Sequence, residues 1–293
     1  MTVFAGVVEE GGFSAAARSL KLSPPAVTRA VAALEESIGV KLLNRTTRYV
    51  RPTEAGLRYL EDVKRILAEV KAADEAVAGI NSEPQGHLSI TAPVLFGQMF
   101  VMPGIVEYLN QNPRTEVDAV FLDRVVNLIE EGLDVGIRIG ELPDSSMRAL
   151  RVGNVRLVVC ASPDYLARTS LPQVPEDIKL HDFVASSAGN FGREIQFASE
   201  KGARSIRVKP RLTVTTNTAA IEAAVNGFGL TRVVSYQISN YLADGKLKIV
   251  LENFELPALP VHIVHREGRW ASTKVRAFID LMAKRLRENP VLN

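Results

Sequence analysis

The 293-residue chain is poor in the groups on which several large protein classes depend. It has one cysteine, Cys160, so no intramolecular disulfide can form, and such usage suits a reducing compartment. Cys160 lies in the run L-V-V-C-A-S, where it reads as a small hydrophobe of a buried strand rather than a redox sensor. Histidine is scarce too. His262 and His265 stand three apart in an expected strand, point to opposite faces and cannot share a metal, while His87 and His181 stand alone. The chain has no Walker loop, no G-x-S-x-G elbow and no G-x-G-x-x-G after a strand; Gly227 and Gly229 make only a short turn. No apolar stretch reaches the length of a bilayer span. The first eight residues are apolar but lack a basic leader and run into Glu9 and Glu10, unlike a signal peptide. These absences predict a cytoplasmic protein with no catalytic centre, no metal and no cofactor.

Acidic residues are missing from one stretch in particular. None occurs between Ser37 and Thr53, where Lys41, Arg45, Arg48 and Arg51 all fall. The net charge of +2 is therefore unevenly divided: residues 1–53 hold seven Lys or Arg against four Glu, a net +3, and the remainder is −1. Before this basic stretch the sequence reads as two short helices joined by a tight turn. Ser14 is placed to cap a helix from Ala15 to Leu20, whose alanines allow close approach of another helix. Ser23 is placed to cap a second helix, with Pro24 and Pro25 in its first turn, where a missing amide proton costs nothing. Val27, Val31, Leu34 and Ile38 form its apolar stripe. The opposite face carries Pro25, Thr28, Arg29 and Ala32, small or basic groups of the kind that let a helix sink into a DNA major groove and read base edges. Leu42, Leu43, Tyr49 and Val50 predict two short strands around Asn44 to Thr47, a basic hairpin that would lie as a wing along the phosphates.

Residues 53–80 predict one long helix with Leu57, Leu60, Val63, Leu67, Val70, Ala73, Val77 and Ile80 at three- and four-residue steps. Such a helix spans roughly 40 Å, too long for a small winged domain to cover, so its seam predicts pairing with a second subunit. Residues 81–86 form a polar hinge. Beyond it strands alternate with helices. Strands are expected at 87–92, 116–122, 133–139, 156–161, 183–186, 211–215, 229–233 and 261–265, and helices at 96–110, 125–131, 218–226, 235–243 and 274–287. This alternation argues for parallel sheets covered on both faces.

The run F-S-A-A-A-R-S-L-K-L-S-P-P-A-V-T-R-A-V-A-A-L-E-E-S-I-G-V-K-L-L-N-R-T-T-R, followed by T-E-A-G, resembles the LysR-type transcriptional regulators. D-V-G-I-R-I-G-E-L-P-D-S-S at 134–146, S-P-D-Y-L at 162–166 and A-A-V-N-G-F-G-L at 223–230 extend the resemblance over the full length. It implies a winged helix-turn-helix (1–52), a dimerising linker helix (53–80), a hinge (81–86) and a two-lobed α/β effector domain of the periplasmic-binding-protein type (87–293). Lobe 1 would be 87–160 with 266–293 and lobe 2 would be 161–265, the chain crossing near Ala161 and His265. The resemblance implies DNA contacts from Pro24, Pro25, Thr28 and Arg29 and from Arg45 and Arg48; the cap Ser23 and the basic Arg51 complete the expected interface. It further implies binding to a double-stranded promoter operator, a homodimer that pairs into a tetramer, and contact with RNA polymerase. Two departures separate the chain from the common pattern: Pro24 stands where Gln or Ser is usual, and Thr28 where Ser is. The chain also begins about half a dozen residues into the family's first helix, which implies either a start assigned downstream or a short helix.

Ligands of doubly wound sheets bind beyond the carboxyl ends of strands. Thr91, Pro93, Val94, Phe96 and Gly97 follow one such strand, Asn217 and Thr218 another, and Arg138, Gly140 and Ser186 lie at or near the ends of two more. Helix N-termini predict a small organic anion, a carboxylate above all; Arg138 reads equally as its counter-charge or as an edge-strand arginine facing solvent, and Phe96 and Phe191 read as lining residues or, more often for such residues, as core. The expected function is therefore sequence-specific transcriptional regulation controlled by a small effector. The competing reading is a solute receptor or metabolic enzyme built on the two-lobed domain.

Overall fold

The computed structural model describes residues 1–45, 50–78, 83–142, 147–188, 194–200, 202–266 and 272–292; at residues 45, 65, 68, 69 and 71–78 the description covers the backbone alone. It forms two compact units, Met1–Ser82 and Glu83–Asn293.

In the first unit three helices, α1 (Thr2–Glu9), α2 (Phe13–Ser19) and α3 (Pro24–Ile38), precede a hairpin of β1 (Leu43–Arg45) and β2 (Val50–Pro52), and the long α4 (Glu54–Ala78) follows. Ala16 and Ala17 are buried, so α2 and α3 approach closely over Phe4, Val7, Val27, Val31, Leu42 and Leu43. Ser23 caps α3 as expected, its Oγ accepting the Ala26 N–H at 3.4 Å. Ser14 does not cap α2. Gly12 holds the N-cap position in extended conformation, and Ser14 sits exposed in the first turn. The stripe of α3 also departs from expectation at its end. Val27 and Val31 are 0% exposed, whereas Ile38 is 39% exposed and Glu35 is buried at 3%. The reason is hydrogen bonding. Glu35 Oε1 accepts the Leu42 N–H (2.9 Å) and Leu43 N–H (3.0 Å), and Oε2 takes Lys41 Nζ at 2.9 Å, so a carboxylate anchors the start of the hairpin.

The apolar stripe of α4 is split along its length. Tyr59, Leu60 and Val63 pack on the domain core, with the Tyr59 ring 5.6 Å from that of Phe4. Ile66 and Val70, one and two turns further, are exposed because the helix outruns the domain.

In the second unit β3 (Gly86–Ala92) leads through α5 (Val94–Phe96) and a π-helical turn (Gly97–Val101) into α6 (Met102–Gln111). Strands β4 (Thr115–Phe121), β5 (Val135–Ile139), β6 (Arg148–Val155) and β7 (Leu157–Ala161) follow, then α7 (Pro163–Arg168), β8 (Phe183–Ser186), the hairpin β9 (Glu194–Ser199) and β10 (Gly202–Arg207), and β11 (Leu212–Val214). The chain ends with α8 (Asn217–Val225), β12 (Leu230–Val234), a 3-10 turn (Ser235–Ile238), α9 (Ser239–Ala243), β13 (Lys248–Val250), β14 (Leu259–His265) and α10 (Thr273–Arg287).

Two five-stranded sheets result, ordered β4-β3-β5-β14-β6 and β11-β8-β12-β7-β13. Both are mixed rather than parallel. Four strands of each run the same way (β4, β3, β5 and β6; β11, β8, β12 and β13), and one, β14 or β7, runs against them between two antiparallel neighbours. The chain crosses between sheets at Arg156 and again within 251–258, not near Ala161 and His265, because β7 pairs with β12 in the second sheet and β14 with β5 in the first. Residues 125–127 are irregular and 128–132 form turns instead of the expected helix: Asn127 Oδ1 accepts the Ile129 N–H at 3.0 Å, offering the backbone a local alternative. Strand β6, in a stretch without clear alternation, was not anticipated. The second sheet is buried on both faces. Val158 and Cys160 of β7 face one cluster with Ile221 and Ile238, while Val159 and Ala161 face another with Phe183 and Phe197. Cys160 is thus core, and burial pushes its thiol up to about 12.

Candidate functional site

The outward face of α3 carries the first candidate site. Ser23, Pro24, Pro25, Thr28 and Arg29 are all exposed, while Val27 and Val31 hold the helix from behind. Thr28 Oγ1 donates to Pro24 O at 3.0 Å, which spends its proton and leaves the lone pairs and methyl facing outward. Arg29 makes no hydrogen bond or ion pair among the described residues. Its five donors are open to base edges or phosphate. In the hairpin, Arg51 is exposed and pairs in register with Asn44, and the backbone of Arg45 pairs with Val50; Arg48 lies outside the described residues. Glu35 ties the hairpin to α3 through three hydrogen bonds, and Thr53 ties it to α4: its Oγ1 donates to Lys41 O (2.8 Å) and accepts the Gly56 N–H (2.9 Å).

A second site lies in the other unit, in a cleft of about 280 Å³ between its two sheets. It is walled where strands end: Pro93 after β3, Leu122 and Asp123 after β4, Arg138 and Ile139 in β5, Ala188 beyond β8, Asn217 after β11, and Val234, Tyr236 and Gln237 at the end of β12. Of the expected residues, Pro93, Arg138 and Asn217 are in this wall. Arg138 is half-buried. It donates to Ile137 O (3.1 Å) and Val126 O (2.9 Å), and no carboxylate lies within ion-pair distance of it among the described residues. Burial pulls its guanidinium below the usual arginine range, partly offset by the field of Glu131.

The remaining expected residues lie elsewhere. Phe96 is 0% exposed and does not line the cleft; its ring meets that of Phe100 at a tilt (4.9 Å) and that of Tyr236 edge to face (5.3 Å). Gly97 is buried against the Phe121 ring, which lies 2.5 Å from where a Cβ would be. The Val94 N–H donates to Asp123 Oδ1 at 3.0 Å, and the Gly140 N–H to Pro260 O at 2.9 Å, so neither amide is open to a ligand. Ser186 Oγ accepts the Ala188 N–H, Thr91 is buried with its Oγ1 unpartnered, and Thr218 is exposed. Phe191 lies outside the described residues. Sequence reasoning missed Asp123, Tyr236 and Gln237. The rule that picked Pro93 and Asn217 would have found them had it been applied to the ends of β4 and β12 as well.

Residues 1–57 match the family model described as "Bacterial regulatory helix-turn-helix protein, lysR family", and residues 81–287 match the LysR substrate binding domain. The chain is 34% identical over 289 residues to an HTH-type transcriptional regulator of Xanthomonas campestris, covering 97% of this chain and 84% of that one. It is 33% identical over 282 residues to the HTH-type transcriptional activator AaeR of Escherichia coli, covering 96% and 91%. Among solved structures, that of CrgA, a LysR-type transcriptional regulator from Neisseria meningitidis, superposes with a TM-score of 0.64 at 31% identity over 98% of both chains.

Proposed function

The chain belongs to the LysR family of bacterial helix-turn-helix transcriptional regulators, and from that membership we propose how its own residues divide the work. Thr28 and Arg29 read base edges in the major groove; Ser23, Pro24 and Pro25 form the blunt leading end that admits the helix; Arg45, Arg48 and Arg51 hold the phosphates. Two subunits pair along α4, where Ile66 and Val70 leave apolar surface uncovered, and set two recognition helices for two half-sites. Pairs of dimers form a tetramer, and the DNA-bound assembly contacts RNA polymerase, as the family pattern implies. The effector, a small organic carboxylate, lies in the cleft on Arg138. The observation that carries the ligand reading is a half-buried guanidinium in a pocket wall with no carboxylate partner. A neutral ligand would leave that guanidinium without an ion-pair partner.

Footprinting on the DNA flanking the gene tests this reading. Full-length protein is expected to protect two half-sites about one helical turn apart, and ligand is expected to change the protected length in wild type but not in Arg138→Gln. A protein that protects no DNA while binding ligand normally would favour a solute receptor.

A further inference from the structure

Asn217 is 5% exposed, lines the cleft, and its Oδ1 has no hydrogen-bond partner. A buried carbonyl oxygen without a donor is costly, so in a cleft wall it marks a place where a ligand supplies one. A ligand ammonium group supplies such a donor. Asp123 stands in the same wall. It accepts the Val94 N–H with Oδ1, keeps acceptor capacity beyond that bond, and has no cation within ion-pair distance among the described residues. Arg124, the other cation of the wall, is already paired with Glu131 through two bonds of 2.6 and 2.9 Å. The cleft wall therefore presents one charge of each sign without an ion-pair partner among the described residues, Arg138 and Asp123. A purely anionic ligand would satisfy the first and be repelled by the second, and a purely cationic one the reverse.

We propose that the ligand is a small zwitterion of the amino-acid type, its carboxylate toward Arg138, its protonated amine toward Asp123 and the Asn217 carbonyl oxygen, and its apolar body against Leu122 and Ile137. This rests on the placement of the effector in the cleft and adds the second charge to it. The cavity of about 280 Å³ is at the small end of ligand sites and limits the body to about the size of an ordinary amino-acid side chain.

Calorimetry on the full-length protein tests the proposal with matched trios: each standard amino acid, its deaminated acid and its decarboxylated amine, for example L-leucine, 4-methylpentanoate and isopentylamine. One amino acid is expected to bind about tenfold or more tighter than either relative. Asp123→Asn, which keeps an oxygen for the Val94 N–H, should bring acid and amino acid within about threefold, whereas Arg138→Gln should weaken both. Circular-dichroism melts of the unliganded variants report folding, and if Asp123→Asn fails to fold, Asn217→Ala serves for the same comparison. An acid that binds as tightly as its amino acid and ignores Asp123→Asn would overturn the zwitterion while leaving the anion reading intact. Amine-only binding, or binding by no amino acid, would overturn it too. Affinity that ignores both Arg138→Gln and Asp123→Asn would overturn the cleft placement itself.

Discussion

Among single residues, Glu35 shows how a polar group can be structural in the core of a DNA-reading domain. Burial alone would push its carboxyl up, but Lys41 and the Leu43 and Leu42 amides together hold it below the usual glutamate range. Because the folded value is the lower one, the carboxylate's contribution is full above the unfolded value near ~4.3 and is lost as pH falls through the folded value. Glu35→Ala orphans two buried amides and is expected to cost about 2–3 kcal/mol in a chemical melt of the isolated signal from the first unit. Glu35→Gln keeps one acceptor and should cost less. His181 behaves differently. Its Nδ1 lies 3.1 Å from the Tyr165 hydroxyl, which accepts the Asp182 N–H and so turns its own proton toward the ring, and Nε2 is buried without a partner. Burial pulls its pKa down despite Asp177 and Asp182 nearby. Stability from the neutral ring is therefore intact above ~6.5 and declines as pH falls through the lower folded value. Urea melts at about pH 7.5 and about 5.5 should show this loss, and it should shrink in His181→Asn. Glu35 was not legible as structural in the sequence, since a glutamate in an E-E pair carries no pattern; His181, standing alone, reads there as structural or surface, and the tyrosine that folding brings to it decides between the two.

At the scale of elements, α3 was readable because capping serine, proline pair and valine stripe all agree locally, whereas the T-E-A-G motif was legible only as a resemblance. The structure supplies its cause. A Cβ on Gly56 would lie 2.1 Å from Leu42 O, where the first turn of α4 presses on the hairpin. Gly56→Ala is thus expected to destabilise the first unit by about 2 kcal/mol or more, checked by thermal melting, although alanine is the better helix former. Three of the failed expectations share one origin. Ser14, Ile38 and residues 125–131 were assigned from local propensity and spacing, and each lost to a specific contact: the Gly12 cap, the Glu35 bonds and the Asn127 turn. For α4 the split of the stripe makes a further prediction. Ile66→Glu with Val70→Glu should lower dimer affinity in analytical ultracentrifugation without changing the melt of the monomer, since neither side chain is buried in its own subunit.

Over the whole molecule, the excess cations of residues 1–53 and the outward face of α3 lie together in the first unit, and the cleft lies in the second. The cleft itself was only half visible. Sequence pattern marked Pro93, Arg138 and Asn217, but Asp123, Tyr236 and Gln237 reach the same cavity only because two mixed sheets aim several strand ends at it. The account stands or falls on the exposed end of α3. Fluorescence anisotropy of the full-length protein on its operator and on a scrambled duplex, at several salt concentrations, tests it most directly. Arg29→Ala is predicted to weaken operator binding about tenfold or more and to narrow the gap between the two duplexes, with the thermal melt and ligand affinity unchanged. An Arg29→Ala protein that still prefers its operator as strongly as the wild type would contradict it.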